Sequence, residues 1–168
     1  MDLVLRYRML SDESDHFVRD FEVRPEMTLA EFHRFIIESL GYDDCMASIF
    51  KSDSQWNKHQ EYTQMDMGID FESAPIAMDK VHLLEVTSEL HDRMIYLFDM
   101  LNERAFYIEL VEVKRAEQDM DYPRVAFEHA TAPDQYDPEI TVDDGSIFEE
   151  MMGEFGEFEG DDNYDDEY

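Results

Sequence analysis

The sequence has one cysteine, four lysines and no long apolar run, and each shortage excludes a class of protein. Cys45 has no partner for an internal disulfide, so a reducing compartment is the simplest interpretation. Charged residues interrupt the apolar start of the chain, and no window approaches the ~20 apolar residues that a membrane helix requires. We therefore predict a cytoplasmic protein that does not associate with membranes.

Motifs of the common enzyme classes are also missing. The sequence contains no Walker-type lysine loop, no dinucleotide-binding glycine pattern and no nucleophile elbow, and no two of its six histidines have the i, i+4 spacing of a helical metal site. Cys45 follows Asp43 and Asp44, whose negative charges raise a thiol pKa and weaken its nucleophilicity. We expect no cofactor and no metal, and a non-enzymatic protein is favoured over an enzyme.

Basic residues are scarce and unevenly placed. The chain has 13 Lys and Arg against 43 Asp and Glu, which gives a formal net charge of −30 at pH 7. Residues 130–168 hold 15 of the acids and no Lys or Arg, whereas residues 1–129 hold the other 28 acids and all 13 bases. Because a protein binds a phosphate backbone through clustered cations, direct binding of nucleic acid is disfavoured. The acidic end instead predicts a basic protein as the partner.

The apolar residues, 43% of the chain, are patterned for an α+β fold. Alternating apolar residues around a polar turn predict a β-hairpin over residues 2–23. Thr28 and Glu31 fit a capping box at the start of a helix over residues 29–40. One or two further helical turns are expected within residues 80–90.

The apolar pattern of residues 93–114 predicts a central hairpin. Residues 93–99 and 105–114 are rich in β-branched and aromatic residues, and Asn102-Glu103-Arg104 would form the turn between them. A short strand is expected at residues 47–51. Residues 52–79 are polar and weakly periodic, which indicates a long excursion with one short strand. Trp56 lies in this excursion.

The pattern weakens after Pro123, and we place the domain boundary at residue 136. Residues 1–136 are predicted to form the α+β domain and residues 137–168 an acidic, disordered tail. Four apolar residues of the tail nevertheless keep the i, i+3, i+4, i+7 spacing of an amphipathic helix that could form on a partner: Phe148, Met151, Met152 and Phe155. A fully solvated tail is the other interpretation.

Two blocks of residues resemble the plasmid pRiA4b ORF-3-like family, some of whose members are labelled as passenger proteins of mobile elements. The blocks are Val18–Val23 with Thr28–His33, Gly41-Tyr42-Asp43 and Phe50, and then Tyr96–Asp99 with Phe106–Leu110. With Pro123 and Pro133, the similarity covers roughly residues 3–136. The resemblance implies a β-grasp-like mixed sheet with an N-terminal hairpin, one main helix and a central hairpin, and no established activity. The family's Gly-Asp-x-Trp turn is replaced by Met100-Leu101-Asn102-Glu103.

Three functions remain as hypotheses. The leading one is a non-enzymatic protein-interaction module whose acidic tail engages the basic surface of a partner. The second is a small-ligand-binding protein or an enzyme with a cleft near His33 and Trp56, for which Tyr96 and Asp99 are further candidates. The third, implied by the resemblance alone, is an accessory role in mobile-element DNA handling that acts through a partner. The sequence does not predict an oligomeric state.

Overall fold

The computed structural model describes residues 2–64 and 74–136, and the structural statements below concern those residues. Most core residues come from alternating strand positions and from one face of a helix, and six fully buried aromatic residues are among them: Tyr7, Phe17, Phe21, Phe32, Tyr96 and Phe106. The strands are β1 (Leu3–Ser11), β2 (Val18–Val23), β3 (Ser48–Ser52), β4 (Glu61–Thr63), β5 (Ile76–Ala77), β6 (Arg93–Asp99), β7 (Arg104–Arg115) and β8 (Arg124–His129). The helices are α1 (Leu29–Leu40), a 3₁₀ turn (Met78–Lys80) and α2 (Leu83–Val86).

The described strands form one mixed sheet in the order β5-β4-β3-β6-β7-β1-β2-β8. The β4–β5 pair is parallel, and the other neighbouring strands run antiparallel. The N-terminal hairpin (β1–β2) and the central hairpin (β6–β7) are joined at the middle of the sheet by the long β1–β7 ladder. The α+β class, the two hairpins and the single main helix are thus confirmed.

Helix α1 begins and ends where the sequence predicts. The Thr28 hydroxyl accepts a hydrogen bond from the Glu31 amide at 3.1 Å, and the Glu31 carboxylate accepts one from the Thr28 amide at 3.0 Å, so the capping box is complete. Gly41 ends the helix at φ 72°, a left-handed conformation that costs glycine little.

Helix α1 covers one face of the sheet. Phe32 and Ile36 of the helix pack against Tyr7 and Phe21 of the N-terminal hairpin, and all four side chains are fully buried. The Tyr7 and Phe32 ring centroids are 5.4 Å apart. Burial of a side chain of this size stabilises a fold by roughly 1.5 to 3 kcal/mol, so this cluster fixes α1 on the sheet.

The opposite face of the sheet, called the outer face here, carries a smaller apolar cluster. Because side chains alternate along a strand, Ile95 and Leu97 point away from the neighbouring Tyr96 and onto this face. Phe50, Trp56 and Tyr107 pack against them. No helix of the described residues is long and apolar enough to cross a membrane.

Three differences from the predicted elements have physical reasons. The excursion over residues 52–79 was expected to contain one short strand, but its described part contains two, β4 and β5, whose three and two residues are too few to show an alternation. Strand β8 was not predicted, because this edge strand is half exposed and its alternation is weak: Phe127 is 48% exposed. The turn of the central hairpin was expected at residues 102–104, but β7 already begins at Arg104, which is 8% exposed and binds Glu13 and Asp99. Those ion pairs order a residue that the sequence pattern assigned to the turn.

The chain beyond β8 is held to the domain as far as Gln135. The Tyr42 hydroxyl donates to the Pro133 carbonyl, and Arg104 donates to the carbonyls of Asp134 and Gln135 at 2.6 and 2.8 Å. The Gln135 side chain accepts from the Asp43 amide and donates to the Asp43 carbonyl. The acidic segment at residues 137–168 lies outside the described residues, and so do Phe148, Met151, Met152 and Phe155.

Candidate functional site

His33 and Tyr96 meet beneath α1. The helical phase that buries Phe32 and Ile36 also turns His33 towards β6, where it is 5% exposed. Its Nδ1 lies 2.7 Å from the hydroxyl of Tyr96, which is fully buried. The structure therefore brings together two of the four candidate residues of the domain.

Gln64, at the end of β4, determines which nitrogen of His33 carries the proton. The Gln64 Oε1 accepts a hydrogen bond from the Ala47 amide at 2.9 Å, so the Gln64 amide nitrogen is the atom that faces His33 Nε2, at 3.1 Å. That nitrogen can only donate, so Nε2 accepts. The network assigns the proton to Nδ1, which donates to the Tyr96 oxygen.

Burial lowers the pKa of His33, and the nearby Arg34 lowers it further, whereas the Asp44 carboxylate, 3.7 Å from Nε2, opposes that shift. His33 is consequently neutral at pH 7. Burial also raises the pKa of Tyr96, so its hydroxyl keeps its proton. The pair is a neutral, hydrogen-bonded unit with one unprotonated nitrogen, Nε2, towards the surface.

A surface cleft of about 410 Å³ opens beside this nitrogen. We call it the α1 cleft. The cleft is lined by about two turns of α1, by the loop that follows the helix and by the residue after β4. The lining residues are Ala30, His33, Arg34, Ile37, Glu38, Tyr42, Asp44 and Gln64. Its volume lies within the range of small-molecule sites, about 300 to 1,000 Å³. No cluster of three or more metal-ligating side chains occurs among the described residues.

Trp56 lies on the outer face, across the sheet from His33, so the described residues contain no cleft that joins the two. Its ring packs edge-on against Tyr107 at 5.2 Å, and the Arg93 guanidinium lies over it at 4.4 Å. Its φ is 61°, an uncommon conformation for a bulky residue. Asp53 supports this backbone by accepting hydrogen bonds from the amides of Gln55 and Asn57.

Asp99 occupies a third place, at the turn of the central hairpin. Its carboxylate accepts from the Asn102 side chain at 2.9 Å and lies 3.7 Å from Arg104. These contacts close the turn and support Arg104. Asp99 does not line the α1 cleft.

Sequence reasoning missed four polar residues of the α1 cleft: Arg34, Glu38, Asp44 and Gln64. Gln64 is 31 positions from His33 and follows a three-residue strand, so no sequence pattern connects them. Arg34 follows the candidate residue His33 on an amphipathic helix, and this neighbouring position was the one sequence signal that could have identified it. Asp44 was considered only for its effect on Cys45.

The outer face carries an ion network of buried acids and partly exposed bases. Asp20 is fully buried and lies 2.8 Å from Arg6 and 2.9 Å from Arg8. Glu22, 1% exposed, lies 2.7 Å from Lys114. Arg6 and Arg124 also bind Glu22. We call these six residues the outer-face ion network.

Hydrogen bonding decides the charge state of the two buried acids. Burial acts to raise the pKa of Asp20, but hydrogen bonds from Arg8 and Arg6 outweigh it, and the pKa lies below its ordinary value. The same holds for Glu22: burial acts to raise its pKa, but hydrogen bonds from Lys114 and Arg124 outweigh burial, and the pKa is lowered. Both groups are therefore carboxylates that neutralise cations of the same chain.

Comparison with known proteins identifies the family. The family model described as plasmid pRiA4b ORF-3-like protein matches residues 7–140. The chain belongs to this family. The fold resembles the crystal structure of a protein of unknown function from Methanosarcina mazei Go1, with a TM-score of 0.63, 12% identity, and coverage of 76% of this chain and 70% of that one. No curated protein matches the sequence.

The plasmid pRiA4b ORF-3-like family brings no established activity, and the M. mazei protein has an unknown function. At 12% identity, its similarity to this chain concerns the fold alone. The function has to be argued from the charges and the cleft of this chain.

Proposed function

We propose that this protein is a non-enzymatic protein-interaction module whose acidic segment (residues 137–168) engages a basic surface of a partner protein. The observation that carries the proposal is the separation of charge along the chain. Residues 130–168 contain 15 acids and no Lys or Arg. A segment of this composition attracts basic surfaces over a distance comparable with the Debye length, about 8 Å at physiological salt.

The bases of the domain support the same proposal, because most are engaged by the domain itself. At least eight of the 13 form ion pairs with carboxylates of the described residues, namely Arg6, Arg8, Arg19, Arg24, Arg93, Arg104, Lys114 and Arg124. Few cations are left to contact a phosphate backbone. A role in mobile-element DNA handling would accordingly act through the partner.

Affinity purification from the native host tests this function with three forms of the chain. These are the full chain, a deletion of residues 137–168, and a full-length form whose acids in that segment are replaced by Asn and Gln. We expect basic proteins to be retained at low salt by the full chain alone. Equal retention by the amide form would contradict the electrostatic role. A fourth form, with Phe148, Met151, Met152 and Phe155 changed to Ala, keeps the charge and measures the contribution of the apolar residues.

The α1 cleft favours a second function, the binding of a small molecule. It combines a volume of about 410 Å³ with apolar side chains, Ala30 and Ile37, and a charged one, Arg34, along the same helix. Titration with small molecules of different charge classes, followed by NMR of the His33 ring, tests this function. Shifts confined to the cleft residues are expected for at least one class. Uniformly unchanged spectra would exclude it.

A further inference from the structure

Two oppositely charged side chains on the wall of the α1 cleft remain available for a ligand. Arg34 and Glu38 are one helical turn apart, a spacing at which such side chains commonly pair, yet no ion pair joins them. Both are exposed. This differs from the outer-face ion network, in which every charged group has a partner.

Asp44 adds a second carboxylate on the other side of the cleft. Its side chain is 86% exposed, and its one ion pair among the described residues is the 3.7 Å approach to His33, which is neutral. Asp44 and Arg34 both act on the pKa of His33, so the negative and the positive group lie within electrostatic range of the same nitrogen. The cleft therefore presents both signs of charge around one point.

The remaining wall of the cleft is suited to the body of a small molecule. Ala30 and Ile37 supply apolar surface from α1, and Tyr42 supplies an aromatic ring. The Gln64 amide uses one N–H on His33 and retains a second donor. Apolar walls with a few convergent polar groups are typical of small-molecule sites.

We propose that the α1 cleft binds a small zwitterion of the α-amino-acid class, with the ligand carboxylate on Arg34 and its ammonium group between Glu38 and Asp44. A ligand with one sign of charge would meet repulsion from one wall: a cation from Arg34, an anion from the two carboxylates. A zwitterion meets neither. Arginine also binds a carboxylate through two parallel hydrogen bonds, which fixes its orientation. This inference rests on the second function proposed above.

NMR titration of the full chain tests the ligand class. The probes are free α-amino acids, the same amino acids with an acetylated amine, and the same amino acids with an amidated carboxylate; dipeptides form a separate series, since they carry both charges farther apart. We expect saturable shifts of α1-cleft signals with the free amino acids and loss of those shifts when either charge is blocked. Saturation by dipeptides but not by amino acids would assign the site to peptide ends instead and overturn the proposed class.

Variants that remove one charge of the α1 cleft provide a second test of amino-acid binding. Because Arg34 and Glu38 are exposed, Arg34→Gln and Glu38→Gln should each weaken amino-acid binding about fivefold without unfolding the domain. Arg115→Gln and Glu89→Gln are the matched controls, since both residues are exposed and lie outside the cleft, and binding should not change. Equal effects of cleft and control variants would show nonspecific attraction and overturn the proposal.

Different outcomes of the titration would contradict the zwitterion ligand and the more general small-molecule function. If amino acids leave the cleft signals unchanged but a molecule of another class shifts them, the zwitterion is wrong and the small-molecule function stands. If no class shifts them, both are wrong. Neither outcome bears on the acidic segment, because the variants in its test change residues 137–168 and leave the cleft intact.

Discussion

The outer face and the helix face of the sheet use charged side chains in different ways. On the outer face, the carboxylates of Asp20 and Glu22 are buried and shared among four bases, so the charges are satisfied within the fold. On the helix face, Arg34 and Glu38 are exposed beside a cleft and do not pair. Charges of the first kind contribute to stability, whereas charges of the second kind remain available for a ligand.

The comparison also separates His33 and Trp56, the two residues that sequence reasoning placed at one cleft. His33 is neutral and lies at the wall of a cavity, while Trp56 covers an apolar cluster beneath Arg93. Substitutions on the outer face should therefore change the free energy of unfolding. Exposed substitutions in the α1 cleft should change binding and leave stability nearly constant.

The largest effect is expected from Asp20→Ala. This change removes the acceptor that Arg6 and Arg8 share, which leaves Arg8 without a buried partner and Arg6 with only its 3.4 Å contact to Glu22. Because Arg8 is 47% exposed and water can solvate it, we expect the free energy of unfolding to fall by about 2 to 3 kcal/mol, below the range for a fully buried pair. Urea denaturation measures the loss. Glu89→Ala, at an exposed position, should change it by less than about 0.5 kcal/mol, and equal losses would refute the distinction.

Trp56→Ala should have the next largest effect. The indole covers Ile95 and Leu97 and packs edge-on against Tyr107, so its removal exposes apolar surface. The ring is only partly buried, so we expect a loss of about 2 kcal/mol, less than the truncation of a core aromatic. Trp56→Phe retains an aromatic ring and should lose about half as much in the same denaturation experiment. A loss only in partner or ligand binding, with stability unchanged, would instead make Trp56 a contact residue.

The local elements of the fold could be predicted from the sequence, because each has a local signal. The capping box at Thr28 and Glu31 and the glycine at position 41 specify α1 without tertiary information. Strand β8 has no such signal, because it is half exposed. It is ordered by pairing with β2, which lies more than 100 positions earlier in the chain. Edge strands are therefore the elements that alternation alone detects least well.

The candidate site could be predicted only in part. His33 and Tyr96 were named because both belong to well-patterned elements, and the structure joins them by a hydrogen bond. Gln64 could not be named, since its role depends on the Ala47 amide that orients it. Trp56 was associated with His33 because a polar excursion does not reveal which face of a sheet it crosses.

Tyr96→Phe tests the hydrogen bond beneath the α1 cleft with a smaller expected effect. The substitution keeps the ring that stacks on Phe106 and removes the acceptor of the His33 Nδ1–H. We expect a loss of about 1 kcal/mol in the free energy of unfolding, typical of one hydrogen bond. Nitrogen NMR of His33 should still show the Nδ1–H tautomer, because Gln64 continues to donate to Nε2, but with the Nδ1–H signal shifted by the loss of its acceptor. Tyr107→Phe, whose hydroxyl makes a longer 3.4 Å contact with Asp12, is the control and should lose less.

The smallest expected effect is the contribution of His33 to the pH dependence of stability. It distinguishes the two faces, because His33 and the carboxylates of the outer face titrate in different pH ranges. Because the folded pKa of His33 lies below its ordinary 6.5, the unfolded chain binds this proton first as the pH falls. The contribution to stability is fully present above pH 6.5 and is lost as the pH falls from there through the folded pKa. The lowered pKa values of Glu22 and Asp20 act later, below their ordinary 4.5 and 3.8, where protonation weakens the outer-face ion network.

Urea denaturation across pH therefore distinguishes the faces with one variant. His33→Gln should flatten the stability curve between neutral pH and the range in which the carboxylates titrate, and it should leave the acid limb below pH 4.5 unchanged. Glu22→Gln should do the reverse, since it removes one titrating group of the ion network and no group of the α1 cleft. If His33→Gln altered the acid limb instead, the histidine would be coupled to the outer face through the sheet, and the two faces could not be treated as independent sites.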